Sequence, residues 1–308
     1  MRPLILVVLV VLGASACDIA TIAGRNARLL FTPPSAPTRL AARPGRADAK
    51  VAAVFVGHAT FVIQIEDRFI LTDPVFTSTV GGLQRRIVEP GIDPKDLPPL
   101  DAVLISHMHM DHLSLGSLDQ VAHAVRRVVV PTGGAVYVPN ERFAVHELTT
   151  WEATDIGGLH VTAVPVDHSG FRYGADGAWL EHAYTGYVVE YRGATIWFGG
   201  DTAYAKQAFV ETRRHFPNID VAFMPIAPIR PRALMKPTHV DPEEAVQAFL
   251  DLGAHLFVPM HYGTFLQGAE PAEEPLRQLD RIARRRLREG AVVIVGIGEE
   301  RVLIPETN

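Results

Sequence analysis

Ala102-Val103-Leu104-Ile105-Ser106-His107-Met108-His109-Met110-Asp111-His112 is the stretch from which the fold of this chain can be read. Its first four residues are an apolar, β-branched run of strand length. The seven that follow hold three histidines and an aspartate, in a chain with 13 histidines in all. Imidazole and carboxylate together suit zinc and related divalent ions. One short loop cannot easily wrap four such groups around a single tetrahedral ion, whereas alternate members can reach two adjacent ions. The bland alternative is a hydrogen-bonded histidine cluster on a surface loop.

Three further candidates occupy the same kind of place. His168 follows the apolar run 161–166, Asp201 follows Thr195-Ile196-Trp197-Phe198-Gly199-Gly200, and His261 follows Leu256-Phe257-Val258-Pro259-Met260. Each lies just past the C-terminal end of a strand-like run, the edge at which sites assemble in open α/β sheets. Taken singly, each is a polar residue at a strand end. Taken with the histidine run they form one set of candidate metal ligands: His107, His109, Asp111, His112, His168, Asp201 and His261.

Working outward, short apolar runs predict strands at 51–56, 60–65, 69–72 and 102–105, and again at 159–164, 187–191, 195–198, 221–224 and 256–258. A helix is predicted over 242–252. Asp241 caps it, Pro242 suits its first position, Glu244 completes a capping box, and Gly253 ends it. Ala245, Val246, Phe249 and Leu250 make its buried stripe. A second helix is predicted over 272–288, with Leu276, Leu279, Ile282 and Leu287 inward. Strand-rich halves with interspersed helices predict a layered α/β sandwich. Neither an internal repeat nor a low-complexity segment is visible.

The 308 residues carry a net charge of −5, with both signs mixed along most of the chain, which argues against a nucleic-acid binder. The N-terminus reads differently. Met1-Arg2-Pro3, an apolar run over 4–12 and Gly13-Ala14-Ser15-Ala16-Cys17 make a secretory signal. Cys17, the single cysteine, sits where a bacterial lipoprotein signal places its acylated residue. A plain cleaved signal or a short anchor is the alternative. Residues 18–50 read as a tether, broken by prolines and rich in arginine, reaching roughly 30 Å if flexible. A basic tether is favourable beside an anionic membrane. Residues 51–308 form the folded domain. These features predict an exported envelope protein held on a membrane by lipid, with Asp18 after Cys17 hinting at inner-membrane retention.

The chain resembles the metallo-β-lactamase superfamily, in the order and spacing of His107-x-His109-x-Asp111-His112, His168, Asp201 and His261. It is most similar to the branch containing N-acyl-phosphatidylethanolamine-hydrolysing phospholipase D. The shared runs include Gly57-His58-Ala59-Thr60, Leu71-Thr72-Asp73-Pro74, Leu97-Pro98-Pro99, Gly200-Asp201-Thr202 and His239-Val240-Asp241-Pro242. The resemblance implies an αβ/βα sandwich of two mixed sheets flanked by helices. It implies that His107, His109 and His168 hold one metal, that Asp111, His112 and His261 hold another, and that Asp201 bridges them. Zinc is the first choice, with iron or manganese open because no cysteine enforces a soft site.

Two divalent ions set against Asp111, Asp201 and a bridging hydroxide leave a site of about +1, which favours an anionic substrate. His239 matches a histidine near the substrate in that branch, so the catalytic set is Asp111, Asp201 and His239. Asp73 and His58 are read as supports of the site, and Arg232 and Lys236 either as positive potential or as ordinary solvated charges. The segment 169–184 departs from the branch and is placed at the mouth of the site. The expected activity is hydrolysis of a phospholipid or other envelope phosphodiester. The alternatives are a lactonase or other ester hydrolase, and a metal-binding envelope protein without catalysis.

Overall fold

The chain begins with α1 (Arg2–Leu29). An antiparallel meander follows, of β1 (Ala49–Gly57), β2 (Thr60–Ile65) and β3 (Arg68–Thr72). After a small hairpin, β4 (Thr79–Val80) and β5 (Gln84–Arg85), the strand β6 (Ala102–Leu104) adds parallel to β3. The helix α2 (Leu115–Val121) then leads to β7 (Arg127–Pro131) and β8 (Ala144–Leu148), both parallel again. These coordinates are a computed structural model that describes residues 2–82, 84–139, 142–180 and 182–306.

The second half repeats the plan. β9 (Ala153–Ile156), β10 (Leu159–Val164), β11 (Gly186–Tyr191) and β12 (Ala194–Phe198) are antiparallel, with the short α3 (Gly177–Leu180) between β10 and β11. After α4 (Lys206–His215), β13 (Val221–Pro225) and β14 (Leu256–Met260) add parallel, separated by α5 (Arg232–Met235) and α6 (Pro242–Leu252). α7 (Glu274–Arg286) follows, and β15 (Glu300–Pro305) returns to pair with β1. The sheet orders are β15-β1-β2-β3-β6-β7-β8 and β14-β13-β12-β11-β10-β9.

Residues of the two sheets share one core. Val51, Ala53 and Phe55 of β1 join Val161, Ala163 and Trp197 of the second sheet in a single buried cluster, and the rings of Phe61 and Phe223 meet edge to face at 4.8 Å. Val54 and Val56 belong to a second cluster, with Leu118 and Val121 of α2. Covered on both faces, these strands bury their alternate residues too and read as continuous apolar runs. Phe209 of α4, Phe249 and Leu252 of α6 and Leu279 of α7 join the shared core. The expected sandwich of two mixed sheets with flanking helices is the observed one.

The expected helix over 242–252 forms with those bounds. The Asp241 carboxylate accepts from Glu244 N, and Gly253 takes the left-handed conformation at φ 72°. Two details differ. The Glu244 carboxylate turns to Arg232 instead of back to the cap, so only half of the capping box forms. Leu250 is 39% exposed, and Ala248 and Leu252 complete the stripe in its place, because a face with a 3.6-residue period drifts past position 250. α7 is shorter than the expected 272–288; Leu279 and Ile282 are buried, while Leu276 and Leu287 pack at the core's edge.

The stretch expected as a tether is helical through Leu29 and then laid along the domain. Arg25 donates to Ala269 O and Glu270 O, Asn26 donates to Leu266 O, and Ser35 and Ala41 form bridges to Val88 and Ile92. Chain held at these points lacks the reach of a free coil. Met1 and the side chains of residues 2–15, on which the signal reading rests, lie outside the described residues. Among the described residues no helix is long and apolar enough to cross a membrane.

Candidate metal centre

Six strands of the two sheets deliver residues to one edge. β1 ends before His58, β3 before Asp73, β6 before the run 106–112, β10 before His168, β12 before Asp201 and β14 before His261. Gly200, at φ 57°, lets the β12 turn pass over Ser106; a Cβ there would lie 2.2 Å from the Ser106 Cβ. His58, Asp73 and His261 have φ of 60°, 33° and 65°, in the left-handed region that non-glycine residues rarely adopt. Three such residues around one centre mark a place where the surrounding packing holds the backbone against strain.

All seven sequence-predicted ligands converge. Four overlapping groups form among the described residues: His107 with His109 and His168; Asp111 with His112, His261 and the additional His58; and, through Asp201, His107 with His112 and His239 with His261. Within each group the candidate ligand atoms lie within 4.8 Å of one another. Asp201 lies between the first two: its Oδ1 is 3.0 Å from His261 Nε2, and its Oδ2 is 3.3 Å from His112 Nε2 and 3.9 Å from His168 Nε2.

The outer nitrogens fix the tautomers. His112 Nδ1 donates to Asp73 (2.7 Å), His168 Nδ1 to Thr238 O (2.8 Å) and His261 Nδ1 to Ala227 O (3.0 Å). His107 Nδ1 donates to Ser106 Oγ, whose hydroxyl donates in turn to Asp73 Oδ2 (2.6 Å). Each of these rings therefore turns its Nε2 to the centre. His112 Nε2 and His261 Nε2 face each other at 3.2 Å, and buried Asp201 Oδ1 has no hydrogen-bond donor. Ring nitrogens and carboxylate oxygens crowded this closely call for positive charge among them, a proton on His112 or a metal ion in its place. The donor set thus fits divalent metal ions.

The electrostatics agree. Burial pushes His107 and His168 well below 6.5 and His109 below it, so all three are neutral imidazoles, the form that binds metal. Burial acts the same way on His112, but Asp201, Asp111 and Asp73 outweigh it and raise its pKa well above 6.5. Three carboxylates close around that ring draw positive charge into the centre, a proton on His112 or a metal ion that displaces it. Asp111 and Asp201 stay well below the usual carboxylate range; burial opposes this, and the surrounding imidazoles overcome it.

His239 joins the rim. Its Nδ1 is buried without a partner, 3.5 Å from Asp201 Oδ2, and burial lowers its pKa to about 4. Arg232 and Lys236 do not supply free positive potential. Arg232 pairs with Asp241 and Glu244 and donates to His239 O (2.9 Å), and Lys236 lies 4.0 Å from Glu244. Both face the acidic first turn of α6. Asp73 accepts from His112 and Ser106, and His58 lies 3.0 Å from Asp111. His123, His146, His160, His182, His215 and His255 fall outside the clusters.

Of the segment 169–184, expected at the mouth, Phe171 reaches the centre. The Phe171 ring meets His109 edge to face at 5.1 Å, and Trp179 is 68% exposed. Sequence reasoning missed Arg172, whose guanidinium donates to Met108 O (3.1 Å) and Leu113 O (2.6 Å) on either side of the His109–His112 turn. It also missed Gln267, which donates to Asp111 Oδ2 (2.5 Å). No spacing marks either residue, since both act through long side chains from distant loops.

Residues 68–262 match the family model described as a beta-lactamase superfamily domain. The chain belongs to the metallo-β-lactamase superfamily. Within it, an uncharacterised protein of Mycobacterium tuberculosis is 33% identical over 265 residues, covering 80% of this chain and 68% of that one. An N-acyl-phosphatidylethanolamine-hydrolysing phospholipase D of Caenorhabditis elegans is 29% identical over 270 residues, covering 80% and 74%. Among solved structures, a metallo hydrolase of the archaeon Ignicoccus hospitalis superposes with a TM-score of 0.60 at 19% identity, over 82% of this chain and 97% of that one. This superfamily member thus shares its fold with that protein, and its seven convergent residues sit at the strand ends of both sheets.

Proposed function

We propose that this chain is a metal-dependent hydrolase that holds two divalent ions and cleaves a phosphodiester of a membrane lipid or related envelope molecule. The observation that carries the reading is the sharing of Asp201 between the two groups of lone-pair donors. His107, His109 and His168 hold one ion, Asp111, His112 and His261 the other. Zinc suits five imidazoles and two carboxylates, and manganese or iron fits the same donors. Two bound ions supply Lewis acidity and lower the pKa of water to roughly 7.

The chain's own residues do the rest. Asp201 orients the attacking group between the two halves. His239, neutral above about pH 5, holds a substrate oxygen through an N–H rather than delivering a proton as an imidazolium. Phe171, beside His109, shields the centre from water. Similarity to the nematode phospholipase D supports a phosphodiester over a carboxylic ester. Cys17, exposed and free, is proposed as the lipidated residue that keeps the domain at an envelope membrane.

The experiment is a panel of N-acyl-phosphatidylethanolamine, glycerophosphodiesters and lactones, given to metal-loaded protein. Turnover of the phosphodiesters with release of a phosphomonoester is expected. Turnover of lactones alone would replace this reading with the lactonase one, and no turnover of any member would leave a metal-binding protein.

A further inference from the structure

Asp111 is held by two residues outside the seven. His58 Nε2 donates to its Oδ2 at 3.0 Å and Gln267 Nε2 donates to the same oxygen at 2.5 Å. That oxygen lies 3.7 Å from His112 Nε2 and 4.0 Å from His261 Nε2, so both donors act at the edge of the second group.

His58 is itself fixed on every side. It is 1% exposed, its N–H donates to Thr264 Oγ1 (2.7 Å), and its carbonyl accepts from His261 N (2.8 Å). Its ring packs at 3.9 Å from that of His261 and edge-on to Phe265 at 5.2 Å. Gly57 permits the Thr264 contact, since a Cβ there would lie 3.0 Å from Thr264 Oγ1. The turn after β1 and the loop 261–267 are therefore bound together, and both reach the same carboxylate oxygen. The first group has no counterpart. His107 leans on Ser106 and His168 on the Thr238 carbonyl, and that group owns no carboxylate beside the shared Asp201.

We propose that His58 and Gln267 form a clamp that presents Asp111 to the second ion and sets the affinity of that position alone. This rests on the two-ion reading above. A free carboxylate loses rotational freedom when it takes a metal; one held by two N–H donors has already lost it. Partners of this kind are typically worth 10–100-fold in metal affinity. His58 and Gln267 are positioning residues, acting through Asp111.

The test measures stepwise zinc dissociation from the full-length holo protein against a chromogenic chelator, with the visible spectrum of the cobalt-loaded form as a second readout. Wild type gives two steps. His58→Asn keeps the left-handed backbone, which asparagine tolerates, but is too short to reach Asp111. It is expected to weaken one step by ~10–100-fold, leave the other unchanged and shift the cobalt bands. Gln267→Met weakens the same step. His58→Gln, which restores an N–H donor, recovers most of the loss.

Unchanged steps in both His58→Asn and Gln267→Met would overturn the clamp, as would equal weakening of both steps or a His58→Gln no better than His58→Asn. Wild type that takes up a single ion would sink the two-ion reading instead. The clamp is then judged on that ion: it stands if His58→Asn weakens it and His58→Gln rescues it, and falls otherwise.

Discussion

Asp201 is the residue that both donor groups need, 3% exposed and without a hydrogen-bond donor for Oδ1. Asp201→Asn keeps the shape but removes a charge, and His109→Ala empties one side of the first group. Each is expected to abolish turnover, while His123→Ala and His215→Ala, on exposed rings outside the centre, leave it unchanged. Near-normal rates for Asp201→Asn, measured at saturating metal, would end the proposed mechanism. His239→Ala is expected to retain full metal content and to lose about 10²-fold in rate if the imidazole only holds an oxygen, and up to ~10⁴-fold if it moves a proton. Because burial holds the His239 pKa down at about 4, the ring is neutral above about pH 5, and it gains a proton only as pH falls through that value. The pH–rate profiles of wild type and His239→Ala should therefore keep the same shape above about pH 5; a limb lost there would show that His239 titrates in the reaction. The seven convergent residues were legible because histidine is scarce and strand ends are easy to see. His58 and Asp73 were legible only as supports, since their chemistry depends on which ring or carboxylate each one meets.

The helix α6 offers the clearest test at the scale of an element. Phe249 is 4% exposed and Leu250 39%, though they are neighbours in sequence. Phe249→Ala is expected to cost about 3–5 kcal/mol of stability in urea denaturation, and Leu250→Ala within ~0.5 kcal/mol. Equal costs would mean that the helix sits rotated from this position. Strands buried on both faces, such as β13 and β1 from Val51 onward, were readable because burial demands unbroken apolar sequence. β8 was not: of Ala144-Val145-His146-Glu147-Leu148 only Leu148 is buried, as an edge strand permits. β7 offers only three consecutive valines before Pro131. α4 buries just Phe209 and Thr212, too thin a stripe for periodicity to reveal. What the sequence concealed was the thinly buried periphery; the doubly covered centre was plain.

At the scale of the molecule, the first half of the chain supplies His107, His109, Asp111 and His112, and the second half His168, Asp201 and His261. Elemental analysis of reconstituted protein should find about two ions per chain, and one or none would count against the proposal. Ions held between the halves should also stabilise the fold, by about 4 kcal/mol at a free concentration a thousandfold above the dissociation constant. Chelation should accordingly lower the melting temperature, and an unchanged Tm would mean that no ion spans the centre. Fractionation of cells expressing wild type and Cys17→Ala tests the anchor: wild type in the membrane and the variant released is expected, and equal solubility of the two would remove the proposed lipid.

The pairing of β15 with β1 has a temporal side. A ribosome makes β15 some 250 residues after β1. Until Glu300–Pro305 has emerged, the strand that carries His58 at its end has one open flank and is the edge of the first sheet. Contacts this distant in sequence form slowly. A growing chain is thereby kept from completing its first sheet until this late stretch is made. A chain truncated before Glu300 would present that open flank permanently, an invitation to pair with a neighbour.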